Sequence, residues 1–269
     1  MSKIVDDMES ELSFKNDVTE LMAATRSCLG GLELIPRQTS PADAILLALL
    51  SKSIVLTEAI ALLVQGGYGD EALGLCRTAV EIRLIVRYLT NSDTAKRSWR
   101  YEEYFAKANR EWQRLIKKYY PDLTLEPRAD AEAIEKLAAK YPDPNKWSAE
   151  NHGLKYFAME PGSFESREDG SPLTDGFCHE VLYKWMSYYV HAVQPSLEGH
   201  VTLPGDRFQI RSGSPRSNRG DQALRTSFLC VHLNIHRIMR FFNMSYPEDL
   251  KARYEAAMHK YKDGPQKAS

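Results

Sequence analysis

Six apolar residues, Leu224, Phe228, Val231, Ile235, Ile238 and Phe242, recur at spacings of four, three, four, three and four. An α-helix lines such positions up on one face, because 3.6 residues complete each turn. A strand would scatter them over both faces of a sheet. The same helical period returns along most of the chain, while apolar–polar alternation is scarce. The expectation is an all-α protein, a single helical bundle of about six long helices.

Glycine and proline set the expected helix ends. A first helix over 4–29 stops at Gly30-Gly31, and Ser40-Pro41 opens a second, which ends at Gly66-Gly67. A third covers 70–90, and the turn Asn91-Ser92-Asp93 offers Ser92 or Asp93 as the cap of a fourth that reaches Tyr120 before Pro121. Residues 121–173 hold Pro121, Pro127, Pro142, Pro144, Pro161 and Pro172. They read as an irregular excursion over one end of the bundle, with short helical pieces at 129–140 and 148–158. Helices are expected again over 174–194, 220–243 and 247–261, joined by a polar loop at 195–218. Residues 1–262 then form one domain, and 263–269 a disordered tail.

Charge and cysteine usage narrow the function classes. The 35 basic and 36 acidic residues give a net charge of −1 and a pI near 6.7, so a global positive field for nucleic acid or anionic lipid is absent and binding would need a local patch. Cys28, Cys76, Cys178 and Cys230 are far apart and form no Cys-x2-Cys pair, which suits a reduced, cytoplasmic protein. The acidic N-terminal stretch lacks the apolar core of a signal peptide. Residues 44–64 are apolar enough to raise the question of a membrane, but Lys52 and Glu58 stand in mid-span, so a central bundle helix is the expected role. No cofactor is expected. The glycine pairs follow helices, with no strand before them, and no Gly-x-Ser-x-Gly elbow occurs. His232-x3-His236 has two-ligand spacing but lacks a recognisable carboxylate partner, so no metal site is expected.

Two short patterns carry chemistry: Arg77-x3-Glu81 in CRTAVEIRLIVRYL, and Tyr183-x3-Ser187-x3-His191 in VLYKWMSYYVHAV. Residues four apart share a helix face. Arg77 and Glu81 share theirs with Leu73, Leu84 and Tyr88, and polar groups in so apolar a setting need partners. The pair is either a structural ion pair or part of a site, and His191 is either a catalyst or the cap of a helix before Pro195. The core face of that helix is expected at Leu182, Met186, Tyr189, Val190 and Val193. Arg83 and Arg87 are expected to be solvated or to pack against a helix. Arg225, His232 and His236 lie beside the 224–242 stripe, and Arg207, Arg211, Arg216 and Arg219, with Phe208, form either a phosphate-contacting loop or a solvated charge run.

The order of these helices resembles a family of bacterial helical proteins of unknown function, whose members carry an Arg-x3-Glu helix and a Tyr-x3-Ser-x3-His-like helix. The resemblance covers roughly residues 40–245 without the proline-rich excursion, and some relatives sit among defence and stress genes. It implies an all-α fold. It also favours Arg77, Glu81, Tyr183, Ser187 and His191 as the site. A likeness to the broad HEPN class of helical ribonucleases suggests a metal-independent reaction: His191 as general acid or base, Arg77 on the phosphate, Tyr183 and Ser187 orienting, and Glu81 fixing the arginine. Arg225-x6-His232 matches the usual HEPN spacing on one helix and is the alternative pair. Arg207, Arg211, Arg225 and His232 are the candidate binding residues, and RNA or another anionic ligand is the expected partner. The rival reading is a non-catalytic module that binds an anionic small molecule or a protein. Bundles of this size often dimerise, with the first and last helices as candidate interface.

Overall fold

The computed structural model describes residues 17–28, 42–91, 93–123, 177–190, 201–202, 209–210 and 218–260. Among them the fold is all-α. The helices are α1 (17–28), α2 (Ala42–Gln65), α3 (Gly69–Asn91), α4 (Thr94–Tyr119), α5 (Cys178–Tyr183 continued by Lys184–Val190), α6 (Asn218–Phe241) and α7 (Glu248–Lys260). A two-residue antiparallel ladder pairs Val201 with Ile210 and Thr202 with Gln209, inside the stretch expected to be a loop.

Helix α3 is the centre. Apolar residues cover nearly all its faces, and from Ala72 to Leu89 most are buried. It packs against α2, α4, α5 and α6, while α6 packs against α2 and α7 as well. The α6 stripe faces this core as its period requires: Leu224, Phe228, Val231, Ile235 and Ile238 are buried, each contributing about 1.5–3 kcal/mol of burial. Phe242 lies just past the helix and is half-buried.

Two helices end in the same way. After α2, Gly67 takes a φ of 83°, its N–H donates to the carbonyl of Val64, and the N–H of Tyr68 donates to that of Leu63. This Schellman turn needs a residue that tolerates the left-handed region, hence glycine. After α6, Asn243 takes the same role at a φ of 56°, with its N–H on Arg240 and that of Met244 on Met239. The start of α4 departs from expectation. Asp93 is the cap residue, but at a φ of 44° its side chain makes no capping hydrogen bond and stands 3.9 Å from Lys96 instead.

Helix α2 is long and apolar enough to cross a bilayer. Its buried face instead packs on α3 and α6, Lys52 is exposed, and Glu58 pairs with Arg26 of α1. Of its charged residues, Lys52 and Glu58 reach the surface while Asp43 in the first turn is buried. Arg83 and Arg87 are expected to be either solvated or packed against a helix. Both are buried, so neither is solvated. Val190, expected in the core, is exposed. The Ser40-Pro41 start, Val193, the excursion beyond residue 123 and the tail lie outside the described residues.

Candidate functional site

The site is built from α3 and α5, which run antiparallel. Gly74 lies beside Tyr189 and Val190, and one turn further along α3 Arg77 meets Ser187 and Tyr183, earlier in α5. Helix α3 begins with Asp70 and Glu71 at its positive end, then presents Arg77 and Glu81 on one face. Helix α5 opens with a π-helical turn over Cys178–Tyr183. Such turns are rare and often occur at functional sites, because the wider turn re-aims the side chains around it.

Arg77 is the hub. Its Nε donates to Ser187 Oγ at 3.1 Å, and its Nη2 donates to the Tyr183 hydroxyl. The guanidinium also lies over the Tyr183 ring, 4.4 Å from the centroid, where the ring face attracts a cation. Ser187 Oγ donates in turn to the carbonyl of Tyr183 at 2.8 Å. The remaining nitrogen, Nη1, is 3.9 Å from Glu81 Oε2, too far for a hydrogen bond. The side chains of Arg77 and Glu81 are 26% and 33% exposed, so the cluster opens to solvent on one side.

Burial pushes the Glu81 carboxyl up from its ordinary value, and the charge of Arg77 offsets part of the rise. Burial also raises Tyr183, helped by the charge on Glu81 and opposed by Arg77. On α4, Tyr101 is pushed up to about 12 by burial and by Glu81. Both phenols therefore keep their protons at neutral pH. Tyr101, which nothing in the sequence singles out, is buried close enough to Glu81 to feel its charge. Its position on an amphipathic helix gave no sign of that.

Four of the five candidate catalytic residues come together: Arg77, Glu81, Tyr183 and Ser187. His191 lies outside the described residues, as do Arg207, Arg211 and Arg216. Arg219, expected in a patch, sits in the first turn of α6 with Nη1 at 2.9 Å from both carboxylate oxygens of Asp70 and its guanidinium 5.2 Å from the Tyr189 ring centroid. It ties the start of α6 to the start of α3. Arg225 is half-buried and makes no ion pair among the described residues.

His232 does not stand in a surface with Arg225. It is 4% exposed, its Nδ1 shares a 2.8 Å hydrogen bond with the Tyr246 hydroxyl, and its ring packs on Tyr246 and Tyr254. Burial lowers its pKa to about 4, with His236 and Lys251 adding to the effect. Its ring is neutral, and burial keeps the Tyr246 phenol protonated beside it. The unfolded chain takes up this proton near 6.5, the folded chain near 4, so acid favours unfolding across that window. Between about pH 7 and pH 5 this group should cost roughly 2 kcal/mol of stability. Urea denaturation at the two pH values, compared with His232→Gln, measures it. Equal losses in both proteins would remove His232 as the cause.

The model of a family described as of unknown function (DUF5677) matches residues 43–208, more than half of the 269 residues. The chain belongs to this family. No curated protein and no solved structure matches it. The matched span runs through the proline-rich excursion and stops short of α6, unlike the 40–245 span expected. It contains Arg77, Glu81, Tyr183 and Ser187, with His191 and Arg207, and ends before Arg211, Arg225 and His232.

Proposed function

We propose that this chain binds a phosphate-like anion at Arg77. One observation carries the reading: Tyr183 and Ser187 hold two nitrogens of the guanidinium in place, while Nη1 has no hydrogen-bond partner among the described residues and the side chain is partly exposed. A cation fixed in advance loses little freedom when an anion arrives, and its charge-assisted hydrogen bonds are stronger than neutral ones. Titration calorimetry with sulfate tests this directly. Binding by the wild type is expected, and its absence would overturn the reading.

The enzymatic form of the same site is a metal-independent ribonuclease with a role in defence or stress. Arg77 would neutralise the scissile phosphate and His191 would move the proton of the attacking ribose hydroxyl. Its support is that Ser187, which bonds Arg77, stands four residues before His191 in sequence. Short labelled RNA incubated with purified protein and EDTA should be cut by the wild type and left intact by a folded His191→Ala variant. No cleavage by the wild type would leave a binding module. Among the described residues Cys28, Cys76 and Cys230 are free thiols, which supports the proposal of a reducing, cytoplasmic compartment.

A further inference from the structure

We propose that Glu81 makes the Arg77 site proton-coupled, so that an anion binds Nη1 together with a proton taken up by the Glu81 carboxylate. This rests on the anion-binding reading of Arg77. An anion on Nη1 must come close to Glu81 Oε2, which stands 3.9 Å from the same nitrogen. Two negative charges at such a distance in a half-buried setting repel strongly. The separation is also too long for Glu81 to gain a hydrogen bond from the arginine that would hold it ionised. Protonated, the same carboxyl loses its charge and gains an O–H that can donate to the incoming anion.

Among the described residues, the charged and titratable groups facing Glu81 are Arg77 from its own helix, Tyr101 from α4 and Tyr183 from α5. Only Arg77 favours the ionised carboxylate. Burial opposes it and has the larger effect. An anion bound at Arg77 cancels much of that single favourable influence, so the carboxyl is poised to accept a proton when the site fills. The proton comes from solvent and returns there on release.

Sulfate is the probe, because its own charge stays constant from about pH 5 to pH 8 and any pH dependence then belongs to the protein. Calorimetry in two buffers of different ionisation enthalpy counts the protons taken up. The wild type should take up to about one proton per sulfate, and its affinity should fall by up to roughly tenfold per pH unit above the titration of the free carboxyl. Glu81→Gln should take up no proton at that step, and its affinity should stay flat with pH. Sulfate binding with no proton uptake in the wild type, or with the same uptake in both proteins, overturns the role of Glu81 and leaves the Arg77 site standing. Failure of both proteins to bind sulfate at any pH overturns the site itself. Should Glu81→Gln not fold, the proton count in the wild type still decides.

Discussion

Truncating Phe228 to alanine should lower the stability of the protein by about 3–5 kcal/mol. Phe228 is 1% exposed and sits in the middle of the α6 stripe. Its ring meets that of Tyr254 edge-on, with centroids 6.4 Å apart and planes at 71°. The substitution removes the buried ring and leaves a void where α6 meets α7. The Tyr254 ring cannot follow it inward without breaking the 2.8 Å hydrogen bond that joins its hydroxyl to Thr25. Urea denaturation by circular dichroism would show a lower midpoint at an unchanged slope. A loss below about 1 kcal/mol would mean that the site collapses freely and that this junction is not closely packed.

Arg77→Met should weaken sulfate binding by roughly 10- to 100-fold, the loss expected when a charge-assisted hydrogen bond disappears. Arg77→Lys should do little better. A lysine carries its charge at a point and cannot span Ser187 and Tyr183 while leaving a donor facing outward. Both variants should remain folded, because the Tyr183 and Ser187 side chains are half-exposed and water can replace the lost partner. Calorimetry at a fixed pH, with circular dichroism as the control for folding, gives the result. Undiminished binding by Arg77→Met would move the anion site away from this arginine.

The α6 stripe and the Gly66-Gly67 stop were legible in the sequence because each has a local cause, a helical period in one case and a left-handed backbone in the other. The kinds of residue in the site were legible too, since Arg77 and Glu81 stand in an apolar helix where polar groups need partners. Their meeting with Tyr183 and Ser187 depends on how α3 and α5 cross, and no local pattern encodes that. The π-helical turn over Cys178–Tyr183 escaped because a periodicity argument assumes one constant angle per residue. The sequence leaves Arg83 and Arg87 either solvated or packed against a helix, and it is the central position of α3 that buries them. His232 looked like a binding residue when seen with Arg225. Its partner Tyr246 lies past the end of α6, where the Schellman turn at Asn243 brings the chain back.

The contacts of α1 bear on the order in which the chain is made. Thr25 bonds Tyr254, Asp17 pairs with Lys260, and the Cys28 thiol lies 3.7 Å from the Met239 sulfur. Besides Glu58 of α2, the first described helix to leave the ribosome thus finds partners in the last two. Until those are synthesised, Thr25, Asp17 and Cys28 lack these partners, while Val18, Leu21 and Met22 are buried in the finished fold. Such a chain completes its core late, after a long-range closure. A ribosome stalled before α7 would hold α1 without the Thr25–Tyr254 and Asp17–Lys260 ties that close the chain's two ends on each other.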